Sequence, residues 1–294
     1  MKRRRFLASC GAAMGGLLAV QQTAAVHGAE KAKGPFAHLP LKMAVPPGWF
    51  DGTIDDQLEK VAQWGFPAYE WLNPEGDFER LSAKADSLGL ALTCIVGAGA
   101  IAPGHMVNPD DHDRVVDQFR QRIKAARTLG CQRLIGLTGN RRDDISYEEQ
   151  MDHVAACLRR LAPIAEENGV ILIVEALNAL VDHKGYFLTR TDQTISLLKS
   201  VDSPNVKMLF DIYHQQITEG NVIRNITENI AYIGHFHVAD NPGRKEPGTG
   251  ELNYRNILKA IHATGYDGYV ALECGRSETT EKALNALLAC FDWA

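Results

Sequence analysis

Six cysteines in 294 residues, none three positions from the next as in a Cys-x-x-Cys pair, leave too little sulfur for a disulfide scaffold or a thiolate zinc cluster. Basic charge is scarce as well: 31 Lys and Arg stand against 36 Asp and Glu, a formal net charge of −5. The first 29 residues hold four of the cations and no acid, so without them the charge falls to −9. A chain this acidic lacks the basic face that phosphate neutralisation requires, which argues against a nucleic-acid partner and against a barrel nuclease. No Gly-x-Gly-x-x-Gly opens a helical stretch, so a dinucleotide site has no support. Neither a long apolar run nor a linker divides the chain, and its 26 Gly and 12 Pro follow no period. What remains is an ordinary soluble composition, 45% hydrophobic and 23% charged, at a length that suits one large domain.

The N-terminus is of another kind. Lys2-Arg3-Arg4-Arg5-Phe6-Leu7 precedes an apolar, small-residue run over 8–20 and an Ala-rich stretch over 21–30. Charged, hydrophobic and small-residue regions in that order make an export signal. Arg-Arg-x-Phe-Leu resembles the twin-arginine type, which exports folded proteins. Residues 1–29 are therefore expected to be the signal, with cleavage between Ala25 and Ala29 and a periplasmic destination. No stable membrane span is expected once it is removed. Folding before export would let a metal be loaded ahead of contact with zinc or copper, which would win on affinity alone. The five cysteines beyond the signal are an odd number, so at least one is free or pairs between chains. Cys94, Cys131 and Cys157 read as buried apolar residues.

From there on, apolar runs alternate with amphipathic stretches. Strands are expected at 41–45, 68–71, 91–96, 133–137, 170–175, 206–211, 233–238 and 268–273. Helices are expected at 54–64, 78–88, 113–129, 147–168, 191–199, 222–229, 254–263 and 279–290, with Gly89, Gly130, Gly169 and Gly265 as stops. Strand-helix alternation implies parallel pairing. Eight units point to an α/β fold, a single-domain (β/α)8 TIM barrel over 34–294, ahead of a doubly wound sheet.

Such a barrel places its chemistry at the C-terminal strand ends. The fifth apolar run closes on Glu175, the sixth on Asp211 and the eighth on Glu273, while the seventh carries His235 and His237. A lone buried carboxylate is costly, and three at one mouth repel each other. A divalent cation resolves both problems. Three carboxylates and an imidazole suit Mn2+ best, with Mg2+ and Co2+ close and Zn2+ less so. His235 and His237 share parity, and His237, nearer the strand end, is taken as the ligand. Asn178 and His235 are expected to hold the ligands from behind. Glu70, ending the second run, is expected in a structural role or at the substrate rim. Trp49 and Trp71 are open between a wall for a sugar face and plain packing.

These residues lie in a dense set of motifs: Glu175-Ala-Leu-Asn178, Gly185-Tyr-Phe-Leu188, Phe210-Asp-Ile-Tyr-His-Gln215, Glu219-Gly220, Ile233-Gly-His-Phe-His-Val-Ala-Asp240, the stretch from Pro242-Gly-Arg244 to Asn253-Tyr254, Gly265-Tyr-Asp-Gly268 and Leu272-Glu273. Together they resemble the hydroxypyruvate isomerases of the xylose-isomerase-like barrel superfamily, which also holds keto-sugar 3-epimerases and inosose isomerases or dehydratases. The resemblance is dense over 170–273 and weaker before it. It implies Glu175, Asp211, His237 and Glu273 as metal ligands, with Glu175 and Glu273 as the proton-transfer pair working through an enediolate. It implies His214 and Arg244 as holders of substrate oxygens; read from the residues alone, His214, on the loop leaving the sixth run, is equally open to orienting Asp211, and Arg244 to being a solvent-exposed loop residue. The expected substrate is a small hydroxy-carbonyl compound or sugar, and a homo-oligomer is left open. Epimerisation of a keto-sugar, loss of water from a keto-sugar or inosose, and a non-catalytic sugar-binding protein are the competing readings.

Overall fold

Strands form where the apolar runs lie. A computed structural model describes residues 33–294, so the expected export signal falls outside the described residues. The strands are β1 (Lys42–Val45), β2 (Ala68–Tyr69), β3 (Ala91–Leu92), β4 (Ile95–Gly99), β5 (Arg133–Leu137), β6 (Ile171–Glu175), β7 (Val206–Asp211), β8 (Ile233–Val238) and β9 (Tyr269–Leu272). Every pairing is parallel, in the order β3-β2-β1-β9-β8-β7-β6-β5-β4. The two ends of that order, β3 and β4, are halves of one run. β3 pairs with β2 and β4 with β5, so the broken strand joins the ends and the sheet closes as an eight-stave barrel. The single third strand expected at 91–96 is thus two strands, interrupted at Thr93 and Cys94.

Helices fill the gaps: α1 (Ile54–Gln63), α2 (Phe78–Ser87), α3 (His112–Thr128), α4 (Tyr147–Asn168), α5 (Thr191–Val201), α6 (Ile212–Thr218), α7 (Val222–Asn229), α8 (Tyr254–Ala263) and α9 (Thr280–Ala289). The starts of α1, α2, α4, α6, α8 and α9 are capped by short polar side chains, which satisfy orphan N–H groups. Thr53 and Asp56 form a reciprocal box at α1, and Ser146 accepts from the Glu149 N–H at α4. Gly169, at φ 63°, ends α4 in the left-handed conformation. Helix α6 follows β7 directly and was not expected from the sequence. Each helix buries one face against the sheet, as α4 does with Val154, Leu158 and Leu161. Among the described residues no helix is long and apolar enough to cross a membrane.

Register sets the site. Asp211 of β7 is the direct partner of His237 on β8, and Glu175 of β6 faces Leu209, two residues before Asp211. Val238 pairs with Leu272, which brings Glu273 to the next position past the barrel rim.

Candidate active site

Glu175, Asp211, His237 and Glu273 each turn a ligand atom to one region, all four within 4.8 Å of one another. The Nδ1 atom of His237 lies 2.9 Å from Glu273 Oε2 and 3.6 Å from Glu175 Oε1. It is buried and has no hydrogen-bond partner among the described residues. An unsatisfied imidazole nitrogen facing clustered carboxylates is costly to leave without a cation. The donor set, mostly oxygen with one nitrogen, fits a hard or borderline divalent ion.

Local structure fixes each member. Asp211 caps α6: its Oδ1 accepts from the Tyr213 and His214 N–H groups at 2.8 and 3.2 Å, while Oδ2 faces the cluster. His214 therefore belongs to α6, not to a loop as the sequence suggested. Its Nδ1 accepts from the Asn178 amide at 2.6 Å, so Nε2 carries the hydrogen. That Nε2 lies 3.5 Å from Asp211 Oδ2, buried and without a hydrogen-bond partner among the described residues. Asn178 is itself pinned, its Oδ1 accepting from the Val181 and Asp182 N–H groups and its amide donating to Asp182.

Arg244 lies on the loop after β8. Its guanidinium donates to Glu273 at 2.6 Å and to Asp211 at 3.3 Å, and it covers the Tyr213 ring at 5.2 Å. Asp240 stiffens that loop, its carboxylate accepting from the N–H groups of Asn241, Gly248 and Leu252. The charge on Arg244 offsets part of the repulsion among the acids.

The two glutamates are held in unlike states. Burial pushes the Glu175 carboxyl up; a contact with His237 opposes this, and the charge of Glu273 adds to the rise. Burial acts on Glu273 in the same direction, but His237 and then Arg244 hold it below the usual carboxylate range. Burial would lower His237, and Glu273 foremost outweighs it, so the imidazole is raised. Burial lowers His214.

Two placements differ from the sequence reading. Glu70 does not reach the rim: it is 3% exposed and bonds to His237 Nε2 at 3.1 Å, below the ligand layer. Inside the barrel its carboxylate meets donors from Thr93, Cys94 and His237, which hold it there. Cys94 is buried as expected, but its thiol donates to Glu70 at 2.9 Å and is not an inert filler. His235 lies beside Glu70, 3.5 Å away and one layer below His237.

Above the ligands opens a cavity of ≈ 320 Å³, walled by Leu72, Val96, Ile101, Leu137 and Leu177 with Asn73 and His183 as further polar members. Trp49 and Trp71 do not line it. Trp49 is buried and donates to the Cys274 carbonyl, and Trp71 packs on the core. The sequence reading overlooked Asn73, His183 and Tyr213. Tyr213 could have been found from its place beside Asp211, whereas His183 sits in a long irregular stretch with no periodic signal.

The Xylose isomerase-like TIM barrel family matches residues 58–291. The hydroxypyruvate isomerase of Escherichia coli strain K12 is 34% identical over 233 residues, covering 78% of this chain and 90% of that protein. The 2-oxo-tetronate isomerase of Cupriavidus necator is 33% identical over 224 residues, covering 74% and 85%. Among solved structures, an AP endonuclease, family 2, from Brucella melitensis superposes with a TM-score of 0.76 at 25% identity, over 85% of this chain and 98% of that one. A D-psicose 3-epimerase from Clostridium cellulolyticum reaches 0.69 at 23% identity, over 86% and 98%, a likeness of fold.

Proposed function

The chain belongs to the Xylose isomerase-like TIM barrel family, and from that premise we propose that it is a metal-dependent isomerase of small 2-hydroxy-carbonyl compounds, of the hydroxypyruvate or 2-oxo-tetronate kind. The observation that carries this reading is the convergence of Glu175, Asp211, His237 and Glu273 on one region. These four would hold the ion. The oxygen-rich set favours Mn2+, ahead of Mg2+, Co2+ and Zn2+. Once bound, a divalent ion supplies Lewis-acid polarisation of the substrate carbonyl.

The remaining work falls to side chains. One of the two glutamates removes the proton from the carbon beside the carbonyl, giving an enediolate, and the other returns a proton to the neighbouring carbon. His214 presents its Nε2–H to a substrate oxygen, held in that orientation by Asn178. Arg244, fixed over Tyr213, offers a charged donor to a substrate carboxylate or hydroxyl. The apolar wall limits water around the enediolate.

The test is exchange with solvent. Manganese-loaded protein is expected to place deuterium from D2O into hydroxypyruvate or a longer 2-keto compound. Glu175→Gln and Glu273→Gln are each expected to abolish that uptake. Full exchange in either variant rejects the proton-transfer scheme.

The cavity holds more than a three-carbon acid needs, which favours 3-epimerisation of a keto-sugar as the second reading. Product analysis separates the two, since a ketohexose recovered with inverted C3 and no aldehyde product identifies the epimerase. Expulsion of a hydroxyl from the same enediolate would instead appear as loss of water.

We further propose that residues 1–29 export the folded, metal-loaded protein to the periplasm. Mass spectrometry of the periplasmic fraction is expected to find a mature N-terminus within residues 26–30. A cytoplasmic protein with an intact N-terminus overturns this.

A further inference from the structure

Beneath the ligand layer lies a second tier of polar groups that the reaction above does not use. Its centre is the Glu70 carboxylate. Oε1 accepts from His237 Nε2 at 3.1 Å and from the Cys94 thiol at 2.9 Å. Oε2 accepts from the Thr93 hydroxyl, and His235 Nε2 stands 3.5 Å away. Thr93 and Cys94 are the two residues at the break between β3 and β4, so the interrupted strand supplies two donors to one acid. All five side chains are buried. An acid enclosed this way, with a donor on each oxygen, is held in one orientation.

We propose that Glu70 is a positioning residue that acts through His237, gripping the ring by its Nε2–H so that Nδ1 is presented to the ion held with Glu175, Asp211 and Glu273. This rests on the metal-site reading above. An ionised carboxylate only accepts hydrogen bonds, so the nitrogen it faces must carry the hydrogen. The bond made by one ring nitrogen decides what the other can do. Ligating histidines are commonly oriented by a carboxylate in this way. Here the two ring nitrogens divide between two layers: Nε2 reaches down to Glu70, and Nδ1 reaches up to Glu175 and Glu273.

A second buried ion is the rival use of this tier. Glu70, Cys94, His235 and His237 also bring ligand atoms within 4.8 Å of one another, and neither ring nitrogen of His235 has a hydrogen-bond partner among the described residues. The hydrogen-bonding reading is favoured because donors from Thr93, Cys94 and His237 already engage both oxygens of Glu70.

The experiment compares Mn2+ binding by the full chain, Glu70→Gln and His237→Ala, using calorimetry and the electron paramagnetic resonance of free Mn2+. One ion per chain is expected. Glu70→Gln, where it folds, is expected to weaken Mn2+ binding about 10- to 100-fold. Zn2+-loaded wild type carrying 15N-histidine is expected to show His237 protonated at Nε2 and coordinated through Nδ1. Unchanged Mn2+ affinity in Glu70→Gln, where His237→Ala loses it, overturns the role of Glu70 and leaves the metal site standing. Two ions per chain, or coordination through Nε2, also overturns it. No saturable Mn2+ binding by wild type brings down the metal reading and this inference together. If Glu70→Gln does not fold, the histidine spectrum of wild type decides.

Discussion

Glu175 and Glu70 show how one residue type takes opposite roles from its surroundings. Glu175 is buried beside another acid and is raised. Burial pushes Glu70 up too, but His235 and His237 outweigh it and hold it below the usual carboxylate range. The rise at Glu175 has a consequence for stability in the metal-free protein. A carboxyl raised in the fold binds its proton more tightly there than in the unfolded chain. Stability therefore falls as pH climbs from the ordinary value of 4.5 through the raised folded one. Glu175→Gln removes that cost. Its metal-free melting midpoint is expected to exceed that of wild type at pH 8, and the two are expected to converge below 4.5. A variant that is less stable than wild type at pH 8 contradicts the burial of this acid. At this scale the candidate ligands Glu175, Asp211 and Glu273 stood out because each is a charged residue that closes an apolar run, as in Leu209-Phe210-Asp211. Glu70 closes its run the same way, and only its depth in the barrel separates it from them. Depth depends on register and on the break at Thr93, neither of which is written locally.

Elements set those depths. The late staves, β6 to β9, were readable with nearly their observed bounds, because each is a continuous apolar run bracketed by turn residues. The third was read as one strand, since 91–96 is apolar but for Thr93; the interruption coincides with the bonds of Thr93 and Cys94 to Glu70, just past the neighbouring β2. Helix α6 escaped notice because seven residues are too few to display a helical period. Its cap is Asp211 itself, so one carboxylate both starts a helix and faces the cluster. Close approach of β4 to β5 depends on Gly99: at φ 76° a Cβ there would meet the Leu137 carbonyl oxygen at 1.8 Å. Gly169, also left-handed, has nothing within 4 Å of the same position. Gly169→Ala is expected to cost about 1–2 kcal/mol, the ordinary left-handed penalty. Gly99→Ala is expected to cost more, about 2–4 kcal/mol, from the added backbone collision. Urea unfolding of both variants checks this, and equal losses would show that the β4–β5 contact can relax.

At the largest scale, the described residues form a closed barrel whose last four staves deliver the candidate chemistry and whose first staves supply support and wall. Relatives that isomerise small 2-keto compounds span most of the chain, which agrees with a site built at the rim of the entire fold and not grafted on one loop. The acidic balance of the chain finds its sharpest expression at that rim, where three carboxylates share one region with a single guanidinium and an imidazole. Mutual repulsion among these acids, only partly offset by Arg244, is what a bound cation would relieve under the proposed reading. Anomalous diffraction from crystals of the full-length protein grown with Mn2+ tests this most directly. One manganese peak is expected, bonded to Glu175, Asp211, Glu273 and Nδ1 of His237. A peak elsewhere, or these four side chains turned away from any common ion, contradicts it.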